Sequence, residues 1–151
     1  MNILALDLGT KCGWATNAHV LSSGSWNLKA KTTESIGQRY LNFKEELKEM
    51  HHAVLFDLIV YEEVHAHAAV EAAHVFGGLQ AILQTFCLEN SIEYRGVGVG
   101  TLKKHATGKG NAKKDAMICA ASMKWPAINI LDDNHADALW LLDYAQRYFN
   151  K

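Results

Sequence analysis

Residues 2–8 (Asn-Ile-Leu-Ala-Leu-Asp-Leu) alternate and are rich in Ile and Leu, and Gly9-Thr10-Lys11 follows with turn chemistry. This pattern predicts a strand that ends in a tight turn. Residues 13–20 and 25–28 predict two more short strands around a Ser22-Ser23-Gly24 turn, and three strands on short connections predict an antiparallel meander. Over residues 34–50, Ile36, Tyr40, Leu41, Phe43 and Leu47 recur at helical spacing between Lys and Glu, with Thr33 or Ser35 placed to cap the start. Residues 56–61 predict a buried strand. Residues 66–88 form a long Ala-rich helical pattern with Val75, Leu79, Ile82, Leu83 and Phe86 as its apolar stripe. A strand at 92–97, a short helix near 102–105, a longer one at 112–123 and a closing helix at about 134–149 complete the series. Strands first in a meander and then alternating with helices predict an α/β fold, a mixed five-stranded sheet flanked by helices.

Several acids interrupt this pattern where strands and helices end. Asp7 sits in an apolar strand, where desolvation is costly unless something pairs with it. Glu62 and Glu63 follow the 56–61 run, and alternation lets only one of them share a face with Asp7. Asp132, Asp133 and Asp137 gather at the start of the last helix, where Asp133 and Asn134, four and three residues before Asp137, can each share its face. Taken singly, Asp7 also reads as a turn residue, and Asp132 or Asp133 more readily as a helix cap than as a ligand. If the strands bearing Asp7 and Glu62 are neighbours, the acids converge and repel one another. Hard divalent cations such as Mg²⁺ resolve that conflict, and a pair of them serves phosphodiester hydrolysis.

Composition narrows the reading. The chain has 151 residues, 49% hydrophobic and 21% charged, with a single Pro, which predicts one globular domain over 1–151 and excludes a disordered or Pro-rich chain. No apolar run approaches a membrane span and no basic stretch with an apolar segment opens the chain. Cys12, Cys87 and Cys119 are odd in number and widely spaced, the usage of reduced thiols in the cytoplasm. Net charge is -1, but residues 103–124 hold six lysines against Asp115, so that window carries +5 and the rest -6.

The segments Leu6-Asp7-Leu8-Gly9-Thr10, Ile59-Val60-Tyr61-Glu62-Glu63-Val64 and Asn134-His135-Ala136-Asp137-Ala138-Leu139 resemble, in that order and over nearly the whole chain, the RuvC family of Holliday-junction resolvases, phage-type relatives above all. The resemblance implies an RNase H-like fold and a homodimer. It also implies a Mg²⁺-dependent endonuclease, with Mn²⁺ as a substitute, that nicks two strands of a four-way DNA junction symmetrically. It makes Asp7 the first-strand carboxylate, Glu62 the second and Asp137 the last-helix acid, and puts Glu63 at a non-catalytic polar position. The family commonly carries Asp or His three residues before the last-helix acid, where this chain has Asn134. Asp133 is the preferred fourth ligand, since a carboxylate one turn away reaches the same metal by a small rotation; His135 is the alternative. Thr101-Leu102-Lys103-Lys104 and Thr107-Gly108-Lys109-Gly110-Asn111-Ala112-Lys113-Lys114 resemble the family's basic connection. The matching positions are Lys103 and Lys114, with Lys104 and Lys113 as near alternatives and Lys109 in the loop between. Glycines let backbone amides approach phosphate and lysines release counterions, although a charged run is also the ordinary solvated face of a helix.

Other features weigh less. His65, His67 and His74 lack the spacing and cysteines of a zinc site and fit a structural or DNA-contacting role better. Gly77-Gly78 costs helix propensity, which close packing offsets, against a symmetry mate or against a strand of the same chain. Trp14, Trp26, Trp125 and Trp140 read as core, and Tyr61 or Phe76 as core or a junction wedge. The competing functions are an RNase H-like nuclease for forks, flaps or RNA-DNA hybrids, and a non-catalytic junction-binding protein. Asp7-Leu8-Gly9-Thr10 also resembles the first phosphate loop of sugar kinases, but the chain is too short for their second lobe.

Overall fold

The computed structural model describes residues 1–150. Its strands are β1 (Ile3–Asp7), β2 (Lys11–Thr16), β3 (Ser22–Asn27), β4 (Leu58–Glu63) and β5 (Glu93–Gly98). Its helices are α1 (Gln38–Ala53), α2 (Val70–Glu89), α3 (Val99–Thr107), α4 (Lys114–Lys124) and α5 (Asp133–Tyr148). The strands form one mixed sheet in the order β3-β2-β1-β4-β5. The first three pair antiparallel as the predicted meander; β4 and β5 add in parallel beside β1.

Alternation along the strands divides the molecule into two cores. Leu4 and Leu6 of β1 and Ile59 and Tyr61 of β4 pack with Phe43 and Leu47 of α1 and Leu79 and Leu83 of α2. Ile3, Ala5, Leu58, Val60 and Val97 face the opposite way, onto Ala138, Leu139 and Leu142 of α5 with α3 and α4 around it. Helix α5 is therefore buried along most of its length. Its first turn lies on β2, where a Cβ at Gly13 would coincide with the backbone carbonyl of Asn134. Only glycine permits that approach.

Three boundaries differ from expectation, each for a local reason. Ser22, Ser23 and Gly24 are not a turn but ladder residues opposite Thr16, Ala15 and Trp14. The turn falls earlier, because Asn17 accepts from the Ile3 amide at 2.7 Å and donates to the Met1 carbonyl at 3.1 Å, fastening the end of β2 to β1. Helix α1 starts at Gln38 rather than 34, since the Ser35 hydroxyl takes the Gly37 amide and the Glu34 carboxylate the Lys31 amide, closing local turns in place of a cap. Helix α2 starts at Val70, not 66: Ala69 is extended, and the His67 ring lies 5.1 Å from that of Phe76. Inside α2, Gly78 abuts the Tyr40 ring of α1, whereas Gly77 faces open space, so the close packing at Gly78 is within the chain, against a helix.

Candidate active site

Register places the first two acids. Leu6 lies opposite Tyr61, so Asp7 and Glu62 come next on adjacent parallel strands, on the α5 side of the sheet. Glu63 falls on the other side, its carboxylate against Gly96 and 3.9 Å from His65. At the head of α5, Asp132 is the N-cap and accepts from the His135 amide at 2.8 Å, which fixes the first turn. Asp133 and Asp137 then stand one turn apart on the same face. Asp7, Glu62, Asp133 and Asp137 line one cleft of about 240 Å³ with Asn134, Lys103 and Lys114. Val99 and Met117 supply its apolar wall.

Burial and neighbouring carboxylates raise the proton affinity of three acids in the cleft, Asp7, Glu62 and Asp137. Burial, then Glu62, Asp137, Asp133 and Asp132, holds the Asp7 carboxyl well above the usual carboxylate range. Burial, with Glu62 and Asp133, pushes Asp137 up to about 7, against the opposing pull of Lys103 and Lys114. Glu62 is raised by burial and Asp133 and eased by Lys103. Lys114 reaches Asp133 at 3.3 Å. The Oδ1 atom of Asp137 is buried and accepts no hydrogen bond. An orphaned carboxylate oxygen among oxygen-only donors with an excess of negative charge suits a hard divalent cation. Among the described residues no three His, Cys, Asp or Glu side chains close into a compact ligand cluster. The acids line the walls of an open cleft, and the donor set fits an ion that also keeps water or phosphate oxygens in its shell.

The remaining candidates divide. Of the five lysines, Lys103 and Lys114 line the cleft. Lys113 is the exposed residue before α4, and Lys109 lies in the α3–α4 loop, where its amide donates to the Thr107 hydroxyl at 3.2 Å. Lys104 lines a separate pocket with His105 and Tyr144. His135 is unsuited to a ligand role: Nδ1 accepts from the Leu131 amide at 3.0 Å, so the proton is on Nε2, which bonds the Ser23 hydroxyl at 2.8 Å. Both ring nitrogens are occupied in the core. Tyr61 is no wedge either, since it is buried and its hydroxyl accepts from Gln80 and Gln84. His65 and His74 are exposed and apart from the cleft. His67 and Arg39 flank a pocket of about 400 Å³ beside Gly9 and Thr10, each with a buried nitrogen lacking a partner. Arg39 carries no sequence signal, because a lone Arg early in an amphipathic helix reads as solvated surface.

No family model matches the sequence, and no curated protein matches it. Solved structures do. Thermus thermophilus RuvC in complex with a Holliday junction substrate matches with a TM-score of 0.81 at 18% identity, over 99% of this chain and 94% of that one. A second Thermus thermophilus RuvC structure gives 0.76 at 18% identity, over 97% and 96%. The yeast mitochondrial Holliday junction resolvase Ydc2 gives 0.62 at 14% identity, over 98% and 81%. Among the described residues no helix is long and apolar enough to cross a membrane. The chain therefore has the RNase H-like fold of the RuvC-type resolvases.

Proposed function

We propose that the chain is a single nuclease domain that resolves four-way or branched DNA by divalent-metal-dependent phosphodiester hydrolysis, with Mg²⁺ as the ion and Mn²⁺ as a working substitute. The observation that carries this reading is the meeting of Asp7, Glu62, Asp133 and Asp137 in one cleft with Lys103 and Lys114, the Asp137 oxygen buried without a partner. The RuvC neighbour bound to a Holliday junction supports the choice of substrate. Symmetric nicking of two strands needs two such sites, so a homodimer on the junction belongs to the proposal. Three unpaired cysteines fit work in a reducing cytoplasm.

In this reading the four carboxylates hold the ion, which supplies Lewis acidity toward the scissile phosphate and a water of lowered pKa. The chain's own part is electrostatic and geometric. Lys103 and Lys114 contact phosphate oxygens and position the strand without reading sequence. Lys114, paired with Asp133 before substrate arrives, exchanges that partner for phosphate. Asn134, at the lip of the cleft, offers an amide donor where relatives place a charged group, so Asp133 takes the ligand's part. Val99 and Met117 keep one wall dry, which strengthens every charge interaction inside.

The test is cleavage of a labelled four-way junction in Mg²⁺, beside a fork and an RNA-DNA hybrid. Paired nicks on the junction, absent in EDTA and in Asp7→Asn, are expected. Full activity of Asp7→Asn, or binding without any metal-dependent nicking, would sink the proposal.

A further inference from the structure

Lys103 and Lys104 are neighbours in sequence but line different depressions. Consecutive side chains on a helix diverge by about 100°. Lys104 therefore leaves the acidic cleft and, with Thr101, His105, Tyr144, Arg147 and Tyr148, lines a pocket of about 520 Å³ between α3 and α5. No acid lines it. Lys104 and Arg147 are exposed, and Tyr148 is 51% exposed although it is a large aromatic side chain.

The aromatic groups form a braced platform. Tyr144 and Tyr148 lie 4.6 Å apart, and His105 meets them edge-on at 5.3 and 5.8 Å. The Arg147 guanidinium sits 5.5 Å from the Tyr148 ring centre. Behind the platform His105 bonds Asp143 at 2.8 Å, and Lys124 holds the other oxygen of Asp143 at 2.7 Å. Each charge at the back is answered, whereas those at the mouth, Lys104 and Arg147, are in no ion pair among the described residues. Cations without acids at the mouth select a polyanion, and an exposed tyrosine beside an arginine plane takes the face of a planar base. Unpaired nucleic acid offers both.

We infer that the α3–α5 pocket is a second nucleic-acid site, which holds an unpaired strand with phosphates on Lys104 and Arg147 and a base on Tyr148. Tyr144 follows Asp137 by two turns on the same side of α5, about 10 Å along the axis. That span is within reach of a strand a few nucleotides long. One strand thus passes from the cleft over α3 to the pocket. The inference takes from the proposed function only that the partner is nucleic acid, and it does not require cutting.

Metal-free, full-length protein is titrated by anisotropy against a fluorescein-labelled single-stranded oligothymidylate and a labelled four-way junction. Tyr148→Ala is expected to weaken oligonucleotide binding about 5- to 100-fold, the effect of losing one base–aromatic stack. Tyr148→Phe, which keeps the ring, restores it. Lys104→Gln and Arg147→Gln each reduce the slope of log K against log salt by about 0.7. Lys104 and Arg147 are solvent-facing, so thermal melts of their variants should match wild type, and a melt of Tyr148→Ala, which gives up ring contacts to Tyr144 and His105, separates lost binding contacts from lost fold. If the triple variant keeps wild-type affinity and salt slope, or wild type binds no single strand, the inference is overturned, and a protein partner becomes the reading of this surface. Loss of binding in the variants, with no cutting of the junction by wild type in a parallel assay in Mg²⁺, would sink the nuclease proposal and leave the strand site standing.

Discussion

Of the three acids of helix α5, Asp137 and Asp143 have opposite surroundings. Asp143 has both oxygens engaged, by His105 at 2.8 Å and Lys124 at 2.7 Å, under a roof of aromatic rings. Asp137 has an oxygen buried with no partner at all, and three further acids facing it across the cleft. At Asp143 the charge is answered within the chain. At Asp137 it is left unsatisfied, a cost a folded protein bears only where a ligand restores the balance. An acid's burial therefore says little until its partners are counted.

The comparison breaks most sharply in cleavage. Asp7→Asn and Asp137→Asn should each lower junction cleavage in Mg²⁺ by about 10²–10³-fold or more, the range for removing one preorganised electrostatic group. Junction binding, which depends on the lysines, should persist. Next in size is Gly13→Ala, remote from the reacting atoms. Its Cβ would fall on the Asn134 backbone and lift the first turn of α5, carrying Asp133 and Asp137 with it. A displacement near 1 Å costs about 10²-fold in rate. Wild-type cleavage by Gly13→Ala would show that the turn yields and that α5 need not be held so closely.

A smaller effect reads the unsatisfied end by stability. Asp137 is raised to about 7 in the folded, metal-free protein and titrates near 3.8 when unfolded. Between those values the folded state holds a proton the unfolded chain has released, so stability present in acid is lost as pH rises through 7. Asp137→Asn removes that penalty. In EDTA the variant should melt with wild type near pH 4 and above it at pH 8 by about 3 °C or more. Mg²⁺ should narrow the gap at pH 8, since a hundredfold excess over Kd adds about 2.7 kcal/mol to the protein that binds it. Differential scanning fluorimetry at the two pH values, with and without Mg²⁺, reads all four corners.

What could be read from sequence follows the range of the interactions involved. The faces of β1 and β4 were legible, because period-two alternation is local; alternation allowed only one of Glu62 and Glu63 to face Asp7, and the choice of Glu62 rested on the family resemblance. The starts of α1 and α2 were misread by about four residues. Apolar periodicity continues through Ile36 and the alanines at 66, 68 and 69, while Ser35 and Asn17 settle their hydrogen bonds by contacts the pattern does not register. The divergence of Lys103 and Lys104 needed the rotation of α3 as well as its existence. His135 looked like a ligand until Ser23, 112 residues away, was found on its ring. Nothing in the sequence joined His105 to Asp143, 38 residues on, and no spacing rule would.

Asp137 and Asp143 supply the final contrast, in sign. Asp143→Ala leaves His105, whose side chain is 7% exposed, and Lys124 without their shared partner. An unpaired buried donor costs about 1–3 kcal/mol, which at about 2–4 °C per kcal/mol lowers the melting temperature by several degrees. Lys124→Met should cost less, about 1 kcal/mol or under, because Lys124 is 43% exposed and the ion pair is partly screened by water. So at pH 8 without metal, removing Asp137 should raise the melting temperature and removing Asp143 should lower it, on the same helix and with the same loss of one negative charge. Melts of Asp137→Asn, Asp143→Ala and Lys124→Met in EDTA decide the matter. If both acidic substitutions move the melt in one direction, net charge rather than partnering governs α5, and the orphaned oxygen of Asp137 loses its weight as the mark of a metal site.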